Sequence, residues 1–332
     1  MLTARPLVQH GVTRPDDAMP LAGSTSHWFS HAEILDRTAQ PRLVTVSELP
    51  GDLLEKLTAP RADVMGLDMG VPQIMGILNV TPDSFSDGGV HFDPDTARNA
   101  ALAMVKAGAT IIDIGGESTR PGADTIDDES ETIRTAPVIA ALRRETDVPI
   151  SIDTRKSVVA RAALAAGASM VNDVAGFTYD PDLGPLCAAE GVPICIMHAL
   201  GDPATMQQNP RYDDVVLDVY DYLQARVEAL SAIGIPRHRM VIDPGIGFGK
   251  TEAHNLALLR NLSLFHGIGC PILLGVSRKR FIGTIGQAPD PATRAPGSIA
   301  VGLAALAQGV QILRVHDVVE TAQALRLWTA AR

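Results

Sequence analysis

From residue 73 onward one unit recurs: a short apolar run, a polar loop with glycine, then an Ala- and Leu-rich helical stretch. The apolar runs fall at Gln73–Ile77, Thr110–Ile114, Ile150–Ile152, Met170–Asn172, Ile194–Met197, Met240–Asp243, Ile272–Gly275 and Ile312–Val315. Most are continuously apolar, as parallel strands buried on both faces require. Amphipathic stretches such as Thr96–Lys106, Val158–Ala166, Asp213–Ile233 and Gly297–Gln308 lie between them. Several end at Gly108-Ala109, Gly167-Ala168 or Gly191-Val192, the expected helix stop. Eight such units with short connections predict a closed (β/α)8 barrel, a TIM barrel, over residues 71–332. The competing fold is an open doubly wound sheet. The absence of a G-x-G-x-x-G after the first strand counts against it.

Residues 1–70 obey another rule. They contain Pro6, Pro15, Pro20, Pro41, Pro50 and Pro60, with no repeated unit and few long apolar stretches. They read as an N-terminal extension of unknown role, with a short hairpin near Arg42–Val46 and a helix near Asp52–Leu57. Packing against the barrel or mediating oligomerisation are its plain uses. Deletion of residues 1–65 is expected to leave the barrel folded.

Composition narrows the partners. Hydrophobic residues make up 46% of the chain and aromatics only 4%, which favours helices packed closely on a parallel sheet over a stacking platform for bases. The formal net charge is −10 and no dense Lys/Arg cluster stands out, so neither nucleic acid nor an anionic membrane is an expected partner. An anionic ligand would have to be held by local cations. Cys187, Cys195 and Cys270 are far apart and adjoin apolar stretches, which predicts buried thiols in a reducing compartment. No basic start precedes an apolar run and no stretch of about 18 apolar residues occurs. A soluble, cytoplasmic protein is the expectation.

Barrel enzymes carry their chemistry at the carboxyl ends of the strands. Polar residues collect there in this sequence. Asn79 and the loop Val80–Gly89 come after the first strand, and Gly115 to Gly122 after the second. Asp153-Thr154-Arg155-Lys156, Asn172-Asp173 and His198 come after the next three. Asp243 with its Gly-rich loop to Lys250, then Ser277-Arg278-Lys279, then Arg314-Val315-His316 complete the ring. Asp153, Asn172 and Asp243 could read the edge of a planar heterocycle, the carboxylates accepting from N–H groups while the amide both donates and accepts. Taken singly, each could equally cap a helix or close a turn. Arg120, Arg278, Lys279, Arg314 and His316 form a cationic set suited to an anion, although surface ion pairing is the plainer use of such residues. The Gly245–Lys250 loop lacks the spacing of a nucleotide P-loop. No HExxH, Cys/His cluster or GxSxG occurs, and His198 reads as a hydrogen-bonded core residue. That chemistry suits ionisation of a phosphate-type leaving group, with a loosely held Mg2+ as the candidate ion.

The run Met75 to Gly89 resembles the signature of the dihydropteroate synthase family. So do Glu117 to Gly122, Asp243 to Lys250, Ser277-Arg278-Lys279 and Arg314-x-His316, in collinear order over about residues 73–330. The resemblance implies a (β/α)8 enzyme of folate biosynthesis that joins 6-hydroxymethyl-7,8-dihydropterin pyrophosphate to p-aminobenzoate. It implies that Asp153, Asn172, Asp243 and Lys279 hold the pterin, with Met197 and Gly275 among the walls. Arg314 would stack on the ring and, with His316 and Asn79, grip the pyrophosphate; Asn79 would also reach the Mg2+. Asp87, Thr119 and Arg120 would come to the reacting centre, where Lys279 also takes part. Phe85, Pro121, Phe248 and Ser277 would serve the second substrate, with Ser277 at a helix start receiving its carboxylate, and Thr119 would also bind substrate. Pyrophosphate would leave first, the methylene cation being stabilised by the pterin and Asp87. The neutral aromatic amine then attacks, which needs no strong general base.

Ala199-Leu200-Gly201-Asp202 is looser than the family pattern, which leaves that loop's role open. The resemblance says nothing about residues 1–70, and sulfonamide sensitivity also stays open. A homodimer is the family's tendency, to be supported by an apolar face on the last two helices. Two rivals remain. A corrinoid-type pterin methyltransferase shares the barrel but has no use for the first loop, the Ser-Arg-Lys run or the Arg-x-His pair. A catalytically silent pterin-binding paralogue has no reason to keep loops used only in turnover.

Overall fold

In the computed structural model the described residues are 2–11, 13–81, 94–118, 125–201 and 205–331. The first part forms two small antiparallel sheets. Strands β1 (Thr3–Pro6), β5 (His31–Leu35) and β6 (Arg42–Thr45) pair in the order β1-β5-β6; β2 (Gln9–His10), β3 (Met19–Pro20) and β4 (His27–Phe29) pair as β2-β4-β3. Pro6 and Pro20 both lie on edge strands, where a missing N–H leaves no ladder bond unmade. Helix α1 (Gly51–Thr58) then covers a small core of Leu21, Phe29, Ala32, Val44, Leu53 and Leu57. The expected helix is there, and the expected hairpin strand pairs back with β5.

This layer is fastened to the rest of the chain. Arg61 Nη2 donates to the carbonyl oxygens of Lys56 (2.9 Å) and His266 (3.0 Å), and Nη1 donates to that of Ala59 (3.1 Å). The guanidinium thus takes up carbonyls at the end of α1, where positive charge is favoured, and ties them to the barrel. Ser263 Oγ donates to Pro6 O at 2.9 Å. Both barrel contacts belong to the 3-10 stretch Leu262–Ile268, all of whose residues are buried.

The recurring unit closes as expected. Its strands are β7 (Gln73–Asn79), β8 (Ile111–Gly115), β9 (Ile150–Asp153), β10 (Met170–Asp173), β11 (Ile194–Met197), β12 (Met240–Asp243), β13 (Leu273–Leu274) and β14 (Ile312–Val315). They pair in parallel in the order β12-β11-β10-β9-β8-β7-β14-β13, and a parallel bridge from Ile242 to Ile272 joins the two ends. The helices between are α2 (Pro94–Ala107), α3 (Asp128–Arg143), α4 (Ser157–Ala165), α5 (Leu183–Glu190), α6 (Val215–Ala232), α7 (Glu252–Arg260), α8 (Arg280–Ile285), α9 (Ala295–Leu306) and α10 (Val318–Ala330). This is the (β/α)8 barrel. Local signals agree with it: α5 ends on Gly191 in the left-handed conformation, and Asp127 and Asp214 cap α3 and α6.

Two apolar layers result. Outward-facing strand residues such as Ile112, Ile152, Val171, Ile196 and Ile242 pack under the helices. Inside the barrel, Met75, Ile111, Met170, Cys195, Val241, Leu273 and Ile312 form a separate cluster closed from below by Val64 and Met69. Cys187, Cys195 and Cys270 are free and buried, as expected. Among the described residues no helix is long and apolar enough to cross a membrane.

Candidate active site

Successive side chains on a strand alternate faces, so the inner apolar layer fixes what stands above it. Two residues beyond Ile111, Met170, Cys195, Val241, Leu273 and Ile312 come Asp113, Asn172, Met197, Asp243, Gly275 and Arg314. Asp153 stands beyond Ser151 in the same way. One step up the barrel an oily floor becomes a polar ring at the strands' carboxyl ends.

The ring is densely connected. Arg314 Nε donates to Asp113 Oδ2 and Nη2 to Asp153 Oδ2, each at 2.6 Å. Asn172 Nδ2 lies 3.3 Å from Asp113 Oδ2. Asp243 Oδ1 accepts from the Gly245 amide at 2.7 Å. A β-carbon placed on Gly275 would lie 3.8 Å from Asp243 Oδ2 and 3.9 Å from Arg314 Cβ, so the acid and the arginine edge the same spot. Glycine leaves that spot open. Lys279 Nζ donates to Ile246 O and sits 4.6 Å from the centre of the Phe248 ring.

Burial sets the protonation chemistry. It pushes the Asp153 carboxyl up to about 7, Arg314 pulling it back and Asp113 adding to the rise. The Asp243 carboxyl is raised by the same cause, with Lys279 opposing. Lys279 is lowered to about 8 by burial, against the pull of Asp243. Burial also works against the charged form of Arg314, but Asp113 and Asp153 outweigh it and hold the guanidinium cationic. Asp153 Oδ1 is buried without a hydrogen-bond partner among the described residues. A buried acceptor left open in such a place suits an incoming N–H donor.

Around the ring the rim residues divide. Ser277 Oγ lies 2.9 Å from His316 Nδ1 and accepts from the His316 amide at 3.1 Å. Ser277 precedes α8 by three residues, because the turn closed by Lys279 N on Val276 O intervenes. It therefore does not stand at a helix start, contrary to the expectation from sequence. Arg278 is turned to Asp317, its Nε donating to Oδ2 at 3.0 Å, so it leaves the cationic set. Asn79 ends β7 and is partly buried. His198 is a hydrogen-bonded core residue, as expected, pushed down to about 3 by burial and by Lys250. Asp173 serves the chain itself, accepting from the amides of Ala175 and Phe177 at 2.7 and 2.6 Å. Glu117, just ahead of the second loop, is held by Arg155 at 2.6 Å and Lys156 at 2.7 Å.

The structure thus brings Asp153, Asn172, Asp243, Lys279 and Arg314 together with Met197, Gly275 and Phe248, and sets Ser277 and His316 beside them. Phe85, Asp87, Thr119, Arg120 and Pro121 lie outside the described residues. One member was missed from sequence. Asp113 is fully buried and anchors both Arg314 and Asn172. The signal was a carboxylate inside an otherwise apolar run, Ile111-Ile112-Asp113-Ile114.

The family model for pterin binding enzymes matches residues 75–316. The dihydropteroate synthase of Synechocystis sp. is 48% identical over 250 residues, 75% of this chain and 86% of that protein. The Xanthomonas albilineans dihydropteroate synthase solved with 4-aminobenzoic acid superposes with a TM-score of 0.77 at 45% identity, covering 82% of this chain and 98% of that one. The same enzyme in complex with 7,8-dihydropteroate gives 0.74 at 42% identity, with the same coverage of both chains. With the matched region running from the first barrel strand to the last and taking in the polar ring, the chain belongs to the dihydropteroate synthase family of pterin-binding enzymes.

Proposed function

We propose that this protein condenses 6-hydroxymethyl-7,8-dihydropterin pyrophosphate with p-aminobenzoate, giving 7,8-dihydropteroate and pyrophosphate in folate biosynthesis. The observation that carries the reading is the ring of buried Asp113, Asp153, Asn172 and Asp243 with the part-buried Lys279 and Arg314, one carboxylate oxygen of Asp153 being unpartnered among the described residues. A flat, N–H-rich bicycle supplies donors to Asp153 and Asp243, while Asn172 both gives and accepts. Lys279 and Arg314 add positive charge at the same end of the barrel. Loss of the diphosphate needs that charge, since negative charge develops on the departing oxygens. The amine then attacks from the side lined by Phe248 and Ser277. An aromatic amine is neutral near pH 7, so no base of this chain has to take its proton before attack.

The residues fit a loosely held divalent ion. Among the described residues no group of three His, Cys, Asp or Glu could hold a metal, and Mg2+ commonly takes few protein ligands beside phosphate oxygens and water. Asn79, at the end of β7, would hold it through its carboxamide oxygen. Bound there, Mg2+ would neutralise charge on the leaving diphosphate. A corrinoid-type methyltransferase is disfavoured by relatives that match along the barrel's whole length. A silent paralogue is separated by assay.

The assay is pyrophosphate release by purified protein. Release dependent on p-aminobenzoate supports the reading; release without it, or none, removes it. The pH profile adds a signature of the site. Protonation of Asp153 as pH falls through about 7 turns an acceptor into a donor and weakens pterin capture. Deprotonation of Lys279 as pH rises through about 8 removes a cation. A narrow bell in kcat/KM with limbs near those values is expected. A flat profile from about pH 6 to 9 would contradict these roles.

We also propose a homodimer in the cytoplasm. Val319 and Leu327 of α10 are 62% and 65% exposed, and Ala300 and Ala304 of α9 are exposed too. Light scattering is expected to give twice the 35.1 kDa of one chain. A mass of one chain at working concentration would exclude it.

A further inference from the structure

The Gly-rich loop ending in Lys250, residues 244–250, looks in sequence like a poor phosphate loop, and the proposed reaction makes no use of Lys250. In the structure this lysine points inward and is 3% exposed. Its ammonium lies 2.8 Å from His198 Nδ1 and donates to the carbonyl oxygens of Gly245 (2.9 Å), Phe248 (3.0 Å) and His198 (3.3 Å). An ammonium whose donors are spent on this loop and on the strand end beneath it has none left for a ligand. Lys250 is no phosphate binder.

Three of the loop's carbonyls are shared between two lysines. Those of Gly245 and Phe248 turn to Lys250, and that of Ile246 accepts from Lys279. The Gly247 carbonyl accepts from Gln207 at 2.5 Å and its amide donates to Asn255 Oδ1 at 2.7 Å. Such a path needs left-handed backbone at Gly245 (φ +68°) and Gly249 (φ +62°). A β-carbon on Gly245 would fall 1.8 Å from His198 O, so the loop lies directly on the strand end that carries the histidine.

We propose that Lys250 is a positioning residue for the synthase reaction: by gathering the carbonyls of Gly245 and Phe248 it sets the Ile246 carbonyl and the Phe248 ring against Lys279, and so fixes where that ammonium points. The inference rests on the reading that Lys279 serves the pterin. Burial depresses the Lys250 amine well below its ordinary value.

The test uses the full chain with both substrates. Lys250→Met keeps the stem and removes the donors. It is expected to lower kcat/KM for the pterin substrate roughly a hundredfold, the scale of an ångström's misplacement of a reacting group. It should also move the alkaline limb upward from about 8, since a loosened Lys279 gains water while Asp243 and Arg314 still face it. A general loss of stability lowers the active fraction but leaves the limb in place. An unmoved limb, whether or not the rate falls, therefore overturns the proposal. If Lys250→Met does not fold, Lys250→Gln, which keeps two donors without the charge, is read by the same limb. Lys279→Ala is the control: persistence of the limb in that variant refutes the role of Lys279 itself, independently of Lys250.

Discussion

An Arg314→Ala variant is expected to fold, to lose a hundredfold to a thousandfold in kcat/KM, and to be less stable than the parent chiefly above neutral pH. The rate loss is about that of removing one preorganised donor from a site where charge develops. The stability loss has a different origin. Arg314 bridges Asp113 and Asp153, both buried, with contacts of 2.6 Å to each. Removing one partner of a buried ion pair costs about 3–5 kcal/mol because the other charges stay behind uncompensated.

Carboxylates have an escape: they can take a proton. Asp153 is already raised to about 7 in the intact protein with Arg314 opposing the rise, so loss of the arginine raises it further. A carboxyl whose folded pKa lies above its unfolded value favours the folded state at low pH and loses that contribution as pH rises through the folded value. The gap between variant and parent should therefore be large at about pH 8 and narrow toward about pH 5. Thermal melts at the two pH values measure it. Equal deficits at both would show that Arg314 does not compensate these acids. Arg314→Lys should recover only part of the loss, because a single ammonium cannot present two directed donors to two carboxylates.

Much of this architecture was legible because the physics that forms it is local and repetitive. Parallel strands buried on both faces must be apolar throughout, and eight such runs separated by helical stretches leave few folds open. β11, β12 and β14 match their expected bounds to the residue. Asp153, Asn172 and Asp243 were legible because each ends or nearly ends its strand. Asp113 was not, because it lies inside β8. Closing a barrel staggers neighbouring strands, so Asp113 pairs with Ser151 while Gly115 pairs with Asp153, and the inward layer meets β8 before its tip. Reading strand ends alone misses a residue that the stagger lowers into the barrel. The first part of the chain was opaque for another reason. Strands of two to five residues carry too little alternation to announce themselves, and Leu21, Phe29 and Leu57 become a core only after the chain has folded back on itself.

Where this first part can be cut is a matter of a few residues. Removal of residues 1–58 takes away both small sheets and α1 but keeps the turn in which Val64 and Leu67 exchange backbone hydrogen bonds of 3.1 and 3.0 Å. Removal of residues 1–65 also takes Arg61, which donates to His266 O, and Val64, which is 1% exposed and closes the barrel floor beneath Met75, Ile111, Met170 and Ile312. Burial of a valine side chain is worth roughly 1.5–3 kcal/mol, and an opened floor adds the cost of wetting its neighbours. In a barrel of this size each kcal/mol moves the midpoint by about 2–4 °C. The longer deletion is therefore expected to melt roughly 5–10 °C below the shorter one. Both should lie below the intact chain, since each bares the buried stretch Leu262–Ile268 and breaks the tie between Ser263 and Pro6. Both are expected to keep the active-site ring, which sits at the opposite end of the strands from Val64. Identical midpoints for the two truncations would show that neither Arg61 nor Val64 holds the barrel floor. A midpoint for the shorter deletion equal to that of the intact chain would show that the small sheets lend the barrel no stability.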